Sequence, residues 1–251
     1  PAMIEVKNLY KSYDGEFVLN DVSARFEQGK CNLIIGRSGS GKTVLLKSIA
    51  GLTEVDEGEI WYNDLKFSHL DTNARQKIRK EMGVLFQGAA LFDSLTVEEN
   101  VLFPLDMLTS QTKKEKLDRI NFCLERVKVS GSNGLYPAEL SGGMKKRVAI
   151  ARAIALNPRY LLCDEPNSGL DPETGIVIDN LISELTEEFN MTTIVNSHDM
   201  NSVLEIGDKV IFIYQGCKSW EGTRKEILRT NNEALNNFVF ATNMAKQIKN
   251  Q

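Results

Sequence analysis

Gly29 to Gly51 reads "GKCNLIIGRSGSGKTVLLKSIAG": a short, nearly continuous apolar run, a glycine-rich loop, and a helical pattern that stops at a glycine. Apolar residues without alternation predict a strand buried on both faces. The loop, Gly36 to Thr43, fits G-x-x-x-x-G-K-[ST], and average residue frequencies put a chance match in a chain of this length at about one per cent. Its chemistry follows from its residue types. In Gly36, Arg37, Ser38, Gly39, Ser40 and Gly41 the glycines let backbone N–H groups wrap phosphates, Lys42 brings a positive charge to the β- and γ-phosphates, and the Thr43 hydroxyl is a ligand for Mg²⁺.

Three more short apolar runs end in polar residues: "KEMGVLFQ", "RYLLCDE" and "MTTIVNSHD". Ligands of open α/β sheets gather at such strand ends. A phosphate-binding loop needs a second, Mg²⁺-directed carboxylate at the end of a buried strand, and Asp164 stands there. Glu165, next in the chain, is suited to orienting and deprotonating an attacking water. Asp171 and Pro172 read as the cap and first residue of a helix carrying Ile178, Leu181, Ile182 and Leu185. This alternation predicts a largely parallel sheet covered by helices.

Residues 88 to 157 have a different texture. Leu117, Ile120, Leu124 and Val127 form a helical stripe in a lysine-rich segment whose Lys113, Lys114 and Lys116 read as a solvated face. "ELSGGMKKR" then opens another helix, where bare N–H groups after Ser141 either attract an anion or need only an ordinary serine cap. Near the end, "DKVIFIYQGCKSWEG" reads as a hairpin, and Thr223 to Glu226 as a capping box starting a final helix. Phe238, Val239 and Phe240 read as cover for the chain's own core rather than as a contact with a second subunit.

The 251 residues, 42% hydrophobic and 25% charged, are enough for a full core. A formal net charge of −4 supplies no basic field for nucleic acid. No apolar run has the length of a membrane span. Pro1 and Ala2 before Met3 read as an added scar rather than part of a signal peptide. Cys31, Cys123, Cys163 and Cys217 are scattered with no C-x-x-C, which predicts small buried hydrophobes in a reducing compartment. His69 has no motif around it and reads as surface.

Taken together, the motifs resemble those of the ATP-binding cassette (ABC) ATPases, over nearly the whole chain. In family order they are an aromatic residue at Tyr13, the phosphate loop at 36 to 43, Gln87 ending "GVLFQ", the signature "LSGGM", the run "LLCDE", the loop "SGLD" and His198 in "NSHD". The resemblance implies an α/β fold: a P-loop NTPase (RecA-like) core with an N-terminal antiparallel β subdomain and a helical insertion. As one nucleotide-binding domain spanning 1–251, it would comprise a core at 3–87 and 158–221, a helical subdomain at 88–157 and a C-terminal helical extension at 222–251.

The resemblance also implies roles and cofactors, ATP and Mg²⁺. Tyr13 would stack on adenine, Gln87 would reach Mg²⁺ and the attacking water, Glu165 would be the general base and His198 would contact the γ-phosphate. Thr43, Gln87 and Asp164 make up the metal set. Ser141, Gly142 and Gly143, with Asp171 of "SGLD", would meet ATP held by a second copy in a head-to-tail homodimer. Within the family, "FQGAALFDSLTVEENVLFPL" together with "LSGGM" is similar to the ATPases of MCE-type lipid-transport systems. That implies phospholipid transport, an integral-membrane permease, an MCE-type lipid-binding partner and a peripheral place on the cytoplasmic face of the inner membrane. Cassettes of amino-acid, metal or lipoprotein transporters, and soluble iron–sulfur-assembly ATPases, remain as alternatives.

Overall fold

In the computed structural model, residues 3–240 are described; Pro1, Ala2, residues 241–251 and the side chain of His69 lie outside that description. The chain runs β1 (Ile4–Tyr13), β2 (Glu16–Phe26), β3 (Cys31–Ile35), α1 (Lys42–Ile49), β4 (Glu57–Tyr62), β5 (Leu65–Lys66), α2 (Thr72–Lys80), β6 (Met82–Leu85). The helices α3 (Val97–Leu108), α4 (Lys113–Arg126) and α5 (Gly142–Ile154) follow before the next strand. Then come β7 (Tyr160–Asp164), α6 (Pro172–Glu188), β8 (Thr192–Ser197), α7 (Met200–Ile206), β9 (Lys209–Tyr214), β10 (Cys217–Gly222) and α8 (Glu233–Val239).

Two sheets form. One is four-stranded and antiparallel, in the order β2-β1-β4-β5. The other has six strands ordered β10-β9-β3-β8-β7-β6, parallel except for the antiparallel edge strand β10. All five residues of β3 are buried, as an unalternating apolar run requires. Leu33 and Ile35 face one apolar cluster, with α3 to α6, while Ile34 faces another with Leu45, Ile49 and the antiparallel sheet. Asn32 survives in the middle because its amide donates to the carbonyls of Glu27, Lys30 and Thr193.

The helical insertion is held by capping boxes at Thr96–Glu99 and Thr112–Glu115. The stripe on α4 differs from expectation at one position. Leu117 is 42% exposed, and Cys123 takes its place on the buried face with Ile120 and Leu124.

The Thr223–Glu226 box does form, Glu226 accepting from both N–H and hydroxyl of Thr223, but only a turn and a 3₁₀ segment, Ile227–Arg229, follow. The helix proper starts later, at Asn232, whose side chain caps it. Phe238 and Phe240 pack on the main cluster with buried Val239, so this end covers the chain's own core. Burial pushes the Cys31 thiol up to about 12 and Cys123 to about 11, and both stay protonated hydrophobes. Cys217 departs from that reading: on edge strand β10 it is half-buried.

Candidate active site

Parallel register sets the site. Ile35 pairs with Ser197, Asp164 with Asn196 and Leu85 with Cys163. The chain therefore brings Gly36–Thr43, Gln87, Asp164, Glu165 and His198 to the same edge of the six-stranded sheet, from four neighbouring strands.

The phosphate loop owes its shape to absent side chains. A Cβ on Gly36 (φ 155°) would lie 2.4 Å from the carbonyl oxygen of Ile213, and one on Gly41 (φ 106°) 2.6 Å from that of Val18. Around Gly39 nothing lies within 4 Å. Arg37, Ser38 and Gly39 are exposed, and the buried Ser40 hydroxyl has no partner among the described residues. Lys42 is buried and its ammonium donates to the carbonyls of Gly36 (2.9 Å) and Arg37 (3.0 Å). Burial lowers its pKa, and the carboxylates of Glu165 and Asp164 partly restore it. Such an ammonium gains from an added phosphate, so the loop fits an anion.

A continuous row of hydrogen bonds crosses the strand ends. The Thr43 hydroxyl donates to Asp164 Oδ1 (3.3 Å), which also accepts from the buried Asn196 amide (3.1 Å). The Asn196 carbonyl accepts from Glu165 N–H (3.0 Å), and Glu165 Oε1 accepts from His198 Nδ1 (3.1 Å). Thr43 and Asp164 present a hydroxyl and a carboxylate, hard oxygen donors of the kind Mg²⁺ takes alongside phosphate oxygens, so they fit that ion. Glu165 sits at φ 48°, a strained conformation for a residue with a side chain.

Tyr13, 48% exposed, ends β1 with Lys11 above its ring, and its hairpin strand supplies the Val18 carbonyl against which Gly41 is packed. The β1–β2 hairpin thus carries an exposed aromatic ring and also touches the phosphate loop, at Gly41. Gln87 is exposed, immediately before three consecutive left-handed residues, Gly88, Ala89 and Ala90 (φ 80°, 68° and 47°). Arg152, on α5, donates to the carbonyls of Ala90 (2.9 Å) and Ala89 (3.0 Å) and holds that loop.

Ser141 caps α5, accepting from Met144 N–H at 3.2 Å, so the ordinary capping role is present whatever else the turn does. Its glycines have an intrachain reason too. A Cβ on Gly143 would come within 2.9 Å of Thr174 Cγ2, and one on Gly142 within 3.3 Å of Leu170. Met144 packs on the main cluster. Asp171 caps α6, with Oδ1 accepting from Thr174 N–H and Oδ2 from the Thr174 hydroxyl; that hydroxyl bond, first, and the N–H bond lower its pKa.

Four residues of this region escape a reading by motif: Asn196, Arg152, Lys146 and Asn167. Lys146 is 4% exposed with no hydrogen-bond partner for its ammonium among the described residues, and burial lowers its pKa against the pull of Cys163, Glu165 and Asp164. The signal available in the sequence was a cation at the fifth residue of a helix with an apolar face, and the neighbouring Lys145 and Arg147 mask it.

A glycine loop around a buried lysine, leading into a hydrogen-bonded row of threonine, aspartate, glutamate and histidine, defines a P-loop nucleotide hydrolase. Residues 19–168 match the family model described as ABC transporter. The chain is 38% identical to the methionine import ATP-binding protein MetN of Campylobacter jejuni, over 94% of this chain and 75% of that protein. It is 39% identical to the intermembrane phospholipid transport system ATP-binding protein MlaF of Haemophilus influenzae, over 91% and 86%. A dimeric post-hydrolysis structure of the ATP-binding cassette MJ0796 bound to ADP and Pi superposes with a TM-score of 0.80 at 33% identity, covering 88% of this chain and 98% of that one. The chain belongs to the ABC transporter family, as an ATPase subunit that binds and hydrolyses ATP with Mg²⁺.

Proposed function

We propose that the chain works as a head-to-tail pair beneath a separate integral-membrane permease, on the cytoplasmic face of the inner membrane, and that its cargo is a phospholipid. The observation that carries the permease contact is an apolar groove of about 290 Å³ beside Gln87, lined by Phe86, Phe92, Phe103, Pro104 and Leu108. Phe92 and Phe103 are exposed, their rings tilted against each other with centroids 4.9 Å apart, an apolar surface suited to a partner's helix. None of the described helices is long and apolar enough to cross a membrane, so in this reading a second chain supplies the span.

In the proposed cycle Lys42 and the loop N–H groups hold the phosphates, Tyr13 stacks on adenine, and Thr43, Asp164 and Gln87 hold Mg²⁺, which supplies charge neutralisation at the phosphates. Glu165 takes the proton of the attacking water, and His198, bonded to Glu165, fixes its carboxylate and meets the γ-phosphate. Ser141, Gly142 and Gly143, with the loop ending at Asp171, meet the nucleotide of the other copy.

The phospholipid reading is supported by the "GAALFDSLTVEEN" and "LSGGM" stretches and by the likeness to MlaF, and it adds an MCE-type lipid-binding protein as partner. Methionine import is the second reading, favoured by a likeness to MetN of almost the same identity. Purification from the native membrane tests both. Copurifying permease and MCE protein, with an altered envelope lipid profile when the chain is removed, supports the first; unchanged lipids with lost methionine uptake selects the second.

A further inference from the structure

Two residues beyond Glu165 the chain reaches Asn167, and one residue beyond His198 it reaches Asp199. The Asn167 amide donates to Asp199 Oδ2 (3.4 Å), to the Ser202 hydroxyl (2.8 Å) and to Asp179 Oδ2 (3.3 Å). Ser202 also donates to Asp179 Oδ2, at 2.6 Å. Three elements meet here: the loop after β7, helix α6 with Asp179, and α7 with Ser202. Asp179 and Ser202 are each 1% exposed, so water does not compete for the bond between them. The Glu165–His198 contact therefore has a second rung behind it, anchored on the buried Ser202–Asp179 bond.

Asp179 is an expensive residue to keep in this place. Its Oδ1 is buried with no hydrogen-bond partner among the described residues, and Asp199, which caps α7, and Glu205 on that helix add like charge, with Cys31 on β3 and Cys163 on β7 its other titratable neighbours. A leucine would fill an apolar helix face at lower cost. What the carboxyl supplies is the acceptor that holds Ser202 and Asn167 together.

We propose that Asn167 and Asp179 are positioning residues for hydrolysis: with Ser202 they tie the loop following Glu165 to the helix following His198, and so fix the relative placement of carboxylate and imidazole. Neither residue belongs to the phosphate loop, so nucleotide binding does not depend on them directly. The inference rests on the proposed roles of Glu165 and His198, and that reading fails separately, if Glu165→Gln turns over normally.

The test is steady-state ATP hydrolysis by the full chain with Mg²⁺, for Asn167→Ala, Ser202→Ala, His198→Ala and the Asn167→Ala/His198→Ala double variant, each checked by thermal unfolding. The expected result is a loss of about tenfold in kcat for Asn167→Ala with KM for ATP within about twofold. In the His198→Ala background the same change should cost less than about twofold, because the placement it protects is already gone. If Asn167→Ala does not fold, Ser202→Ala, which removes the 2.8 Å and 2.6 Å bonds, is read by the same criteria. Unchanged kcat in a folded variant, or an equal tenfold loss with and without His198, overturns the proposal.

Discussion

Glu165 Oε1 lies 3.1 Å from His198 Nδ1, and Glu165 holds that position from a left-handed backbone conformation. The strain of such a residue is of order 1–3 kcal/mol. Its own N–H on the Asn196 carbonyl and the Ser168 N–H on its carbonyl (3.1 Å) hold it in place.

Glu165→Gln keeps the shape and a hydrogen-bonding oxygen while removing the base. ATP binding should persist, turnover should fall at least about a hundredfold, and a closed dimer should accumulate with ATP. Gel filtration with and without ATP, alongside a phosphate-release assay, reads both; ordinary turnover would remove Glu165 from the role of base.

The phosphate loop predicts a graded response to alanine. Gly36→Ala and Gly41→Ala drive a methyl into backbone carbonyls at 2.4 and 2.6 Å, and both should lose nucleotide binding and lower the unfolding temperature. Gly39→Ala meets nothing within 4 Å and should cost only the left-handed backbone, about 1–2 kcal/mol. Nucleotide titration and calorimetry of the three variants test the ranking.

Much of the architecture was legible because its signals are local. The buried strand, the glycine loop and the Asp171–Pro172 helix start each lie within a few consecutive residues, and each appears where the pattern put it. The final helix was misplaced because a capping box can satisfy a turn as well as a helix. Leu117 fits the helical spacing of the stripe yet stays exposed, and Cys123, expected to be buried in its own right, fills that face instead. Asn167, Asp179 and Ser202 were illegible for a different reason. They are separated by 12 to 35 positions along the chain, and only the fold makes them neighbours.

Asp179 also gives the protein a pH dependence with a definite sign. Burial raises its pKa to about 6, so the folded chain holds a proton that the unfolded chain has released. The stabilisation this proton gives is complete below about pH 4 and lost as pH rises through about 6, an effect of about 3 kcal/mol. Asp179→Asn does not titrate, so its stability relative to the parent should rise between about pH 4 and pH 7. Denaturant melts at the two pH values measure the change; a constant difference would mean that Asp179 titrates normally.

Arg152 presents two N–H groups to two carbonyls of the left-handed loop at 88–90, a geometry that lysine cannot copy. Arg152→Ala should destabilise by about 2 kcal/mol, and Arg152→Lys should recover little of it. Proteolysis at the loop, compared across the three proteins, should follow the same order.

Gly143 and Thr174 touch within one chain, and this changes how heredity would read the signature turn. A Gly143→Ala allele collides with the chain's own helix α6 before it alters anything offered to a neighbouring copy. Its phenotype would therefore be suppressible from inside: Thr174→Ser removes the colliding methyl yet keeps the hydroxyl that Asp171 accepts from. A selection for revertants starting from that allele would recover second-site changes at Thr174, whereas an allele of Ser141 would have no partner there to compensate it.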